Sequence, residues 1–192
     1  MTPPRPARAL SEGLSPPILL ALVAATTALL TAATATDATV AALTAVLFGA
    51  VLPLAWITLG VRRGRLTDRH ITRVRSQRHL PLAVSLTSII AGAAVLRMLD
   101  AQPVASLFVV TAAVLLPCMV ITVWWQVSIH CAVAAAVTAY AALIWSPWWA
   151  TAAVIVVALA WARVAVSAHT LSQVAAGTAL GVATGSITAL LL

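Results

Sequence analysis

Apolar runs of about membrane length recur seven times along this chain, at roughly 17–36, 39–60, 80–98, 104–124, 129–145, 149–167 and 171–192. A hydrocarbon core about 30 Å thick takes about 20 apolar residues in a helix to cross. Inside it the backbone finds no water, so a spanning segment must satisfy its own N–H and C=O groups, in a helix or a closed barrel. The runs are built of Ala, Leu and Val without the ten-residue alternation of barrel strands, which excludes an outer-membrane barrel. The expected fold is all-α, a polytopic transmembrane helical bundle of about six to seven spans. The charge content agrees, because 8% of the 192 residues are charged, against about 25% in a soluble domain. So few charges cannot cover a water-facing surface. A soluble globular protein, a disordered chain and a nucleic-acid-binding module are excluded, and the lipid bilayer is the expected partner. The net charge of +7 comes from eleven arginines against four acids, with no lysine. It reads as loop arginines on an apolar body.

Four regions follow. Residues 1–16 form a polar, Pro-rich lead with Arg5, Arg8 and Glu12, and 17–60 hold two transmembrane helices. A basic loop occupies 61–79, and 80–192 carry the remaining spans. The first apolar run is longer than a signal-peptide core, so it reads as a retained helix. Connections at 36–38, 99–102 and 146–148 are very short. The others, with the basic loop, Ser128, His130 and His169, fall on one face. Arg5, Arg8, Arg62, Arg63, Arg65, Arg69, Arg73, Arg75 and Arg78 gather there, with Arg163 close by. The positive-inside rule puts that face in the cytoplasm, of a bacterial plasma membrane on this reading. Trp124 and Trp125 suit one interfacial belt, and Trp145, Trp148 and Trp149 the other. Cys118 and Cys131 support neither a disulfide framework nor a cysteine metal site. Gly177-x3-Gly181-x3-Gly185 is a small-residue ladder for helix packing.

Three features share the basic face: the loop with Arg69, His70, Arg73, Arg75 and Arg78; Ser128-Ile129-His130; and Arg163-x5-His169-x3-Gln173. Ionisable residues at membrane depth are costly and point to function. Arginine's planar fork matches phosphate oxygens, and helix N-termini add N–H donors and positive potential. Histidine serves as nucleophile or acid near neutral pH. Phosphate ester cleavage uses all of these together.

Arg163-x5-His169-x3-Gln173 resembles the third motif of the type 2 phosphatidic acid phosphatase superfamily, S-R-x5-H-x3-D, and Ser128-Ile129-His130 resembles its second, P-S-G-H. The arginine loop takes the place of the first, K-x6-R-P. The resemblance covers roughly residues 62–185. Val127, Ile129, Ala162 and Gln173 stand where that family has Pro, Gly, Ser and Asp. Ile71 takes the Lys position if Arg78 takes the Arg position, and the phosphate-binding arginine of the loop is Arg75 or Arg78. The resemblance implies an integral-membrane phosphatase that hydrolyses a phosphomonoester or diphosphate of a lipid or polyprenol, with no metal and no cofactor. His169 is the implied nucleophile, forming a phosphohistidine, and His130 the general acid. Gln173 is the expected hydrogen-bond partner of His169, because positions four apart on a helix share a face. Arg163, Arg75 or Arg78 and Ser128 are the implied phosphate contacts. The alternative expectation is a non-catalytic relative that binds a lipid phosphate or serves as a membrane scaffold or transport protein. The oligomeric state is not readable from the sequence.

Overall fold

With no water to bond in the bilayer, each apolar run takes the structure that closes its own hydrogen bonds. The computed structural model describes residues 4–64 and 79–192. Most of the basic loop, Arg75 and Arg78 included, lies outside the described residues. Among those described, nine α-helices and no strand are found: α1 Arg5–Gly13, α2 Pro16–Thr31, α3 Ala35–Val46, α4 Leu52–Arg62, α5 His79–Met98, α6 Gln102–Ile121, α7 Ile129–Ile144, α8 Ala153–Ala165 and α9 Leu171–Leu191. A π-helical turn, Leu47–Val51, joins α3 and α4 into one helix of 28 residues. A 3-10 turn, Pro147–Ala152, runs into α8.

Five helices among the described residues are long and apolar enough to cross a membrane: Ala35–Arg62, His79–Met98, Gln102–Ile121, Pro147–Ala165 and Leu171–Leu191. α1 and α2 make a sixth if they are counted as one bent span. The seven apolar runs thus yield five or six spans of full length. α7 has 16 residues, about 24 Å at 1.5 Å per residue, which is short of the hydrocarbon thickness. Leu29, Leu30, Val157 and Leu190 are among many exposed large apolar side chains, as suits a lipid-facing exterior. The lead also departs from expectation, because a helix begins at Arg5, with Pro6 in its first turn, where only a polar, Pro-rich lead was read.

The chain divides into two compact units, residues 17–112 and residues 1–16 with 113–192. In the first, the π turn leaves one carbonyl to be satisfied from another helix. Leu52 N–H bonds to the Leu47 carbonyl, one residue beyond the α-helical partner. Pro53, which would serve the Phe48 carbonyl in that register, has no N–H. Ser88 Oγ on α5 donates to the Phe48 carbonyl instead, at 2.7 Å. Gly92 completes the fit, since a Cβ there would stand 2.6 Å from Phe48 and 2.7 Å from Phe108. In the second unit α7 packs against α8 and α9, and α1 packs against α8. All residues of α7 from His130 to Val137 are buried.

Candidate functional site

The close approach of α7 and α9 sets the frame. A Cβ on Gly177, Gly181 or Gly185 would come within 2.5, 2.2 and 2.3 Å of the carbonyl oxygens of Ser128, Ala132 and Ala136. No side chain fits at those distances, so the ladder puts backbone against backbone. Where it ends, Ser128 N–H donates to the Gln173 carbonyl at 3.2 Å. This bond fastens the residue that caps α7 to the first turn of α9. Ser128 is wholly buried and its Oγ donates to Cys131 Sγ at 3.4 Å. Cys131 in turn neighbours Thr178 and lies within coulombic reach of Arg163. The N-terminus of α7, the C-terminus of α8 and the N-terminus of α9 therefore meet at one end of this unit.

The spacing Arg163-x5-His169 has a local cause. α8 closes with Ser167 in the left-handed region, at φ 55°. Ser167 N–H bonds to the Val164 carbonyl at 2.9 Å and Ala168 N–H to the Arg163 carbonyl at 3.0 Å. This is a Schellman closure with serine where glycine is usual. The same Arg163 carbonyl also accepts from His169 N–H at 3.2 Å. The backbone of the arginine thereby fixes the backbone of the histidine. Both side chains are buried, Arg163 at 2% exposure and His169 at 8%.

His169 precedes α9, so the reason expected for its pairing with Gln173, a shared helix face, does not apply. Thr170 is the N-cap, and Gln173 reaches back from the third helical position in a capping box. Gln173 Oε1 accepts from Thr170 N–H at 3.1 Å and lies 3.2 Å from His169 Nδ1. A backbone N–H can only donate, so the Gln173 atom between the two is the carbonyl oxygen and not the amide nitrogen. Nδ1 must then carry the proton. In neutral His169 the lone pair is left on Nε2.

Arg163 Nη1 donates to Ser11 Oγ on α1, at 2.6 Å. Ser11 is itself 3% exposed. No feature of the sequence separates this serine from the rest of the polar lead. Its bond spans 152 positions of chain. His130 is buried in the first turn of α7, two residues beyond Ser128. Of the residues singled out from sequence, Ser128, His130, Arg163, His169 and Gln173 thus belong to one end of one unit. Arg75 and Arg78 fall outside the described residues. The helix dipoles of α7 and α9 place their positive ends here as well.

Comparison of the chain with protein-family models, with curated proteins and with solved structures finds no match.

Proposed function

We propose that this chain is an integral-membrane lipid-phosphate phosphatase of the type 2 phosphatidic acid phosphatase kind, working from the cytoplasmic face. The observation that carries the reading is Gln173 Oε1, held between Thr170 N–H and His169 Nδ1. It leaves Nε2 of a buried histidine with the lone pair that a phosphoryl acceptor needs. In this reaction His169 Nε2 bonds to phosphorus as the phosphorus–oxygen bond to the lipid breaks. Protonated His130 gives its proton to the departing lipid oxygen. Water then attacks the phosphohistidine and yields a proton to neutral His130, which releases inorganic phosphate and restores His169. Arg163, with Arg75 or Arg78, neutralises the non-bridging oxygens as their charge rises.

Gln173 itself favours a second reading. An amide orients the imidazole but does not stabilise its cation, as a carboxylate would. A relative that binds a lipid phosphate without cleaving it needs only the first of these. A phosphate-release screen decides between the two, using purified protein, a panel of phosphatidate, phosphatidylglycerophosphate and polyprenyl phosphates, and a His169→Ala control. Release that disappears in His169→Ala supports the phosphatase. Release that survives His169→Ala refutes the phosphohistidine route. Binding without release identifies the non-catalytic relative.

A further inference from the structure

We infer that α1 belongs to the phosphate site, with Ser11 as a positioning residue for the Arg163 guanidinium. This rests on the reading of Arg163 as a phosphate ligand. α1 packs on α8 by a narrow face in which Ala7 and Ser11, one turn apart, are buried. Arg5, Arg8 and Glu12 are exposed on the outer side. A buried serine in a helix ordinarily returns its proton to the carbonyl four residues back. Thr27, Thr111 and Thr122 do this here, at 2.7 to 2.8 Å. Ser11 instead bonds at 2.6 Å to Arg163 Nη1. Arginine has donors only, so Ser11 Oγ is the acceptor and its own hydrogen remains to be donated.

The arrangement serves an anion. An arginine at the end of α8 has a long, rotatable side chain, and a neutral hydroxyl directs it without cancelling its charge. A carboxylate in the same place would compete with phosphate for the guanidinium fork. A hydroxyl already bonded to the arginine presents its hydrogen beside the same fork, where a phosphate oxygen can accept it. Ser11 thus aims the cation and adds a donor of its own. The helix that supplies it lies at the opposite end of the sequence from the motifs.

The test uses the full chain in nanodiscs, as Ser11→Ala and Ser11→Thr beside wild type. Three quantities are measured: KM and kcat on phosphatidate, the affinity for inorganic phosphate by calorimetry, and Tm. Loss of a hydrogen bond to a charged group predicts that Ser11→Ala weakens phosphate binding and raises KM by about tenfold. Ser11→Thr, which keeps the hydroxyl, returns both to within about twofold of wild type. A merely structural serine gives a lower Tm and a lower kcat with KM and phosphate affinity unchanged, and that result overturns the inference. Should wild type hydrolyse no lipid phosphate, the phosphatase reading fails alone, because phosphate affinity still reports on Ser11. Should wild type bind no phosphate either, both fail.

Discussion

Gln173 has two tasks that pull on one oxygen. It caps α9 through Thr170 and sets the tautomer of His169. Glutamate has the same reach and replaces an amide oxygen with a charged one. Charge-assisted hydrogen bonds are about twice as strong as neutral ones. Gln173→Glu is therefore expected to raise the rate of phosphohistidine formation about tenfold, or about 1.4 kcal/mol of barrier, measured by rapid quench in a single turnover. Gln173→Ala should slow the same step and also cost about 1 kcal/mol of stability through the lost cap. A Gln173→Ala protein with wild-type rates would separate the capping task from the chemistry and leave position 173 with the first alone. Single residues were the most legible part of the site, since Arg163, His169, Ser128 and His130 stand out as polar residues in apolar surroundings. The pairing of His169 with Gln173 was legible too, but for the wrong reason, since the capping box and not a helix face makes it. Ser11 was not legible. A hydroxyl acquires its meaning from the cation it meets, and that meeting depends on tertiary packing.

The apolar runs give the helices and their approximate ends, because in a bilayer no other structure satisfies the backbone. Lengths were read less well. Helicity continues wherever the φ and ψ angles allow, whereas membrane crossing needs a fixed distance, so α2 and α7 form helices of 16 residues each. How elements end also escaped the sequence, because Ser167 carries no turn signal of its own. Its left-handed φ of 55° costs a non-glycine residue about 1 kcal/mol. Ser167→Gly should raise stability by about that amount, seen as a higher Tm of the detergent-solubilised protein. Ser167→Val should lower it. The glycine ladder leads to the opposite expectation. A Cβ at Gly181 would lie 2.2 Å from the Ala132 carbonyl oxygen, against backbone that cannot yield cheaply. Gly181→Ala should cost about 3 kcal/mol by forcing α7 and α9 apart. Hydrogen exchange should show the loss first in α7, whose N-terminal turn carries His130.

For the molecule as a whole, the arginine distribution predicts which side of the membrane the site occupies. Glu12 lies on the exposed side of α1, next in sequence to Ser11, and Ser146 follows the far end of α7. Both native cysteines are buried, so single cysteines can be introduced without removing them. In intact cells a membrane-impermeant maleimide should label Ser146→Cys and leave Glu12→Cys unlabelled until the membrane is opened. The reverse pattern would place the site outside and show that arginines kept for chemistry had biased the charge count.

The bond between Ser11 and Arg163 also orders events during synthesis. The ribosome releases α1 well before α8, because the partner of Ser11 lies 152 positions further along the chain. Throughout that interval α1 has no α8 to pack on, and its exposed arginines, Arg5 and Arg8, can rest on anionic headgroups. The chain then leaves this unit for the whole of residues 17–112 and returns to it. On the proposed reading, Ser11 cannot aim the Arg163 guanidinium until the penultimate helix has been inserted. On that reading a chain lacking either helix holds phosphate more weakly. Full phosphate affinity would then arrive late in translation, and a fusion or processing event that displaced α1 would reduce it without touching Arg163 or His169.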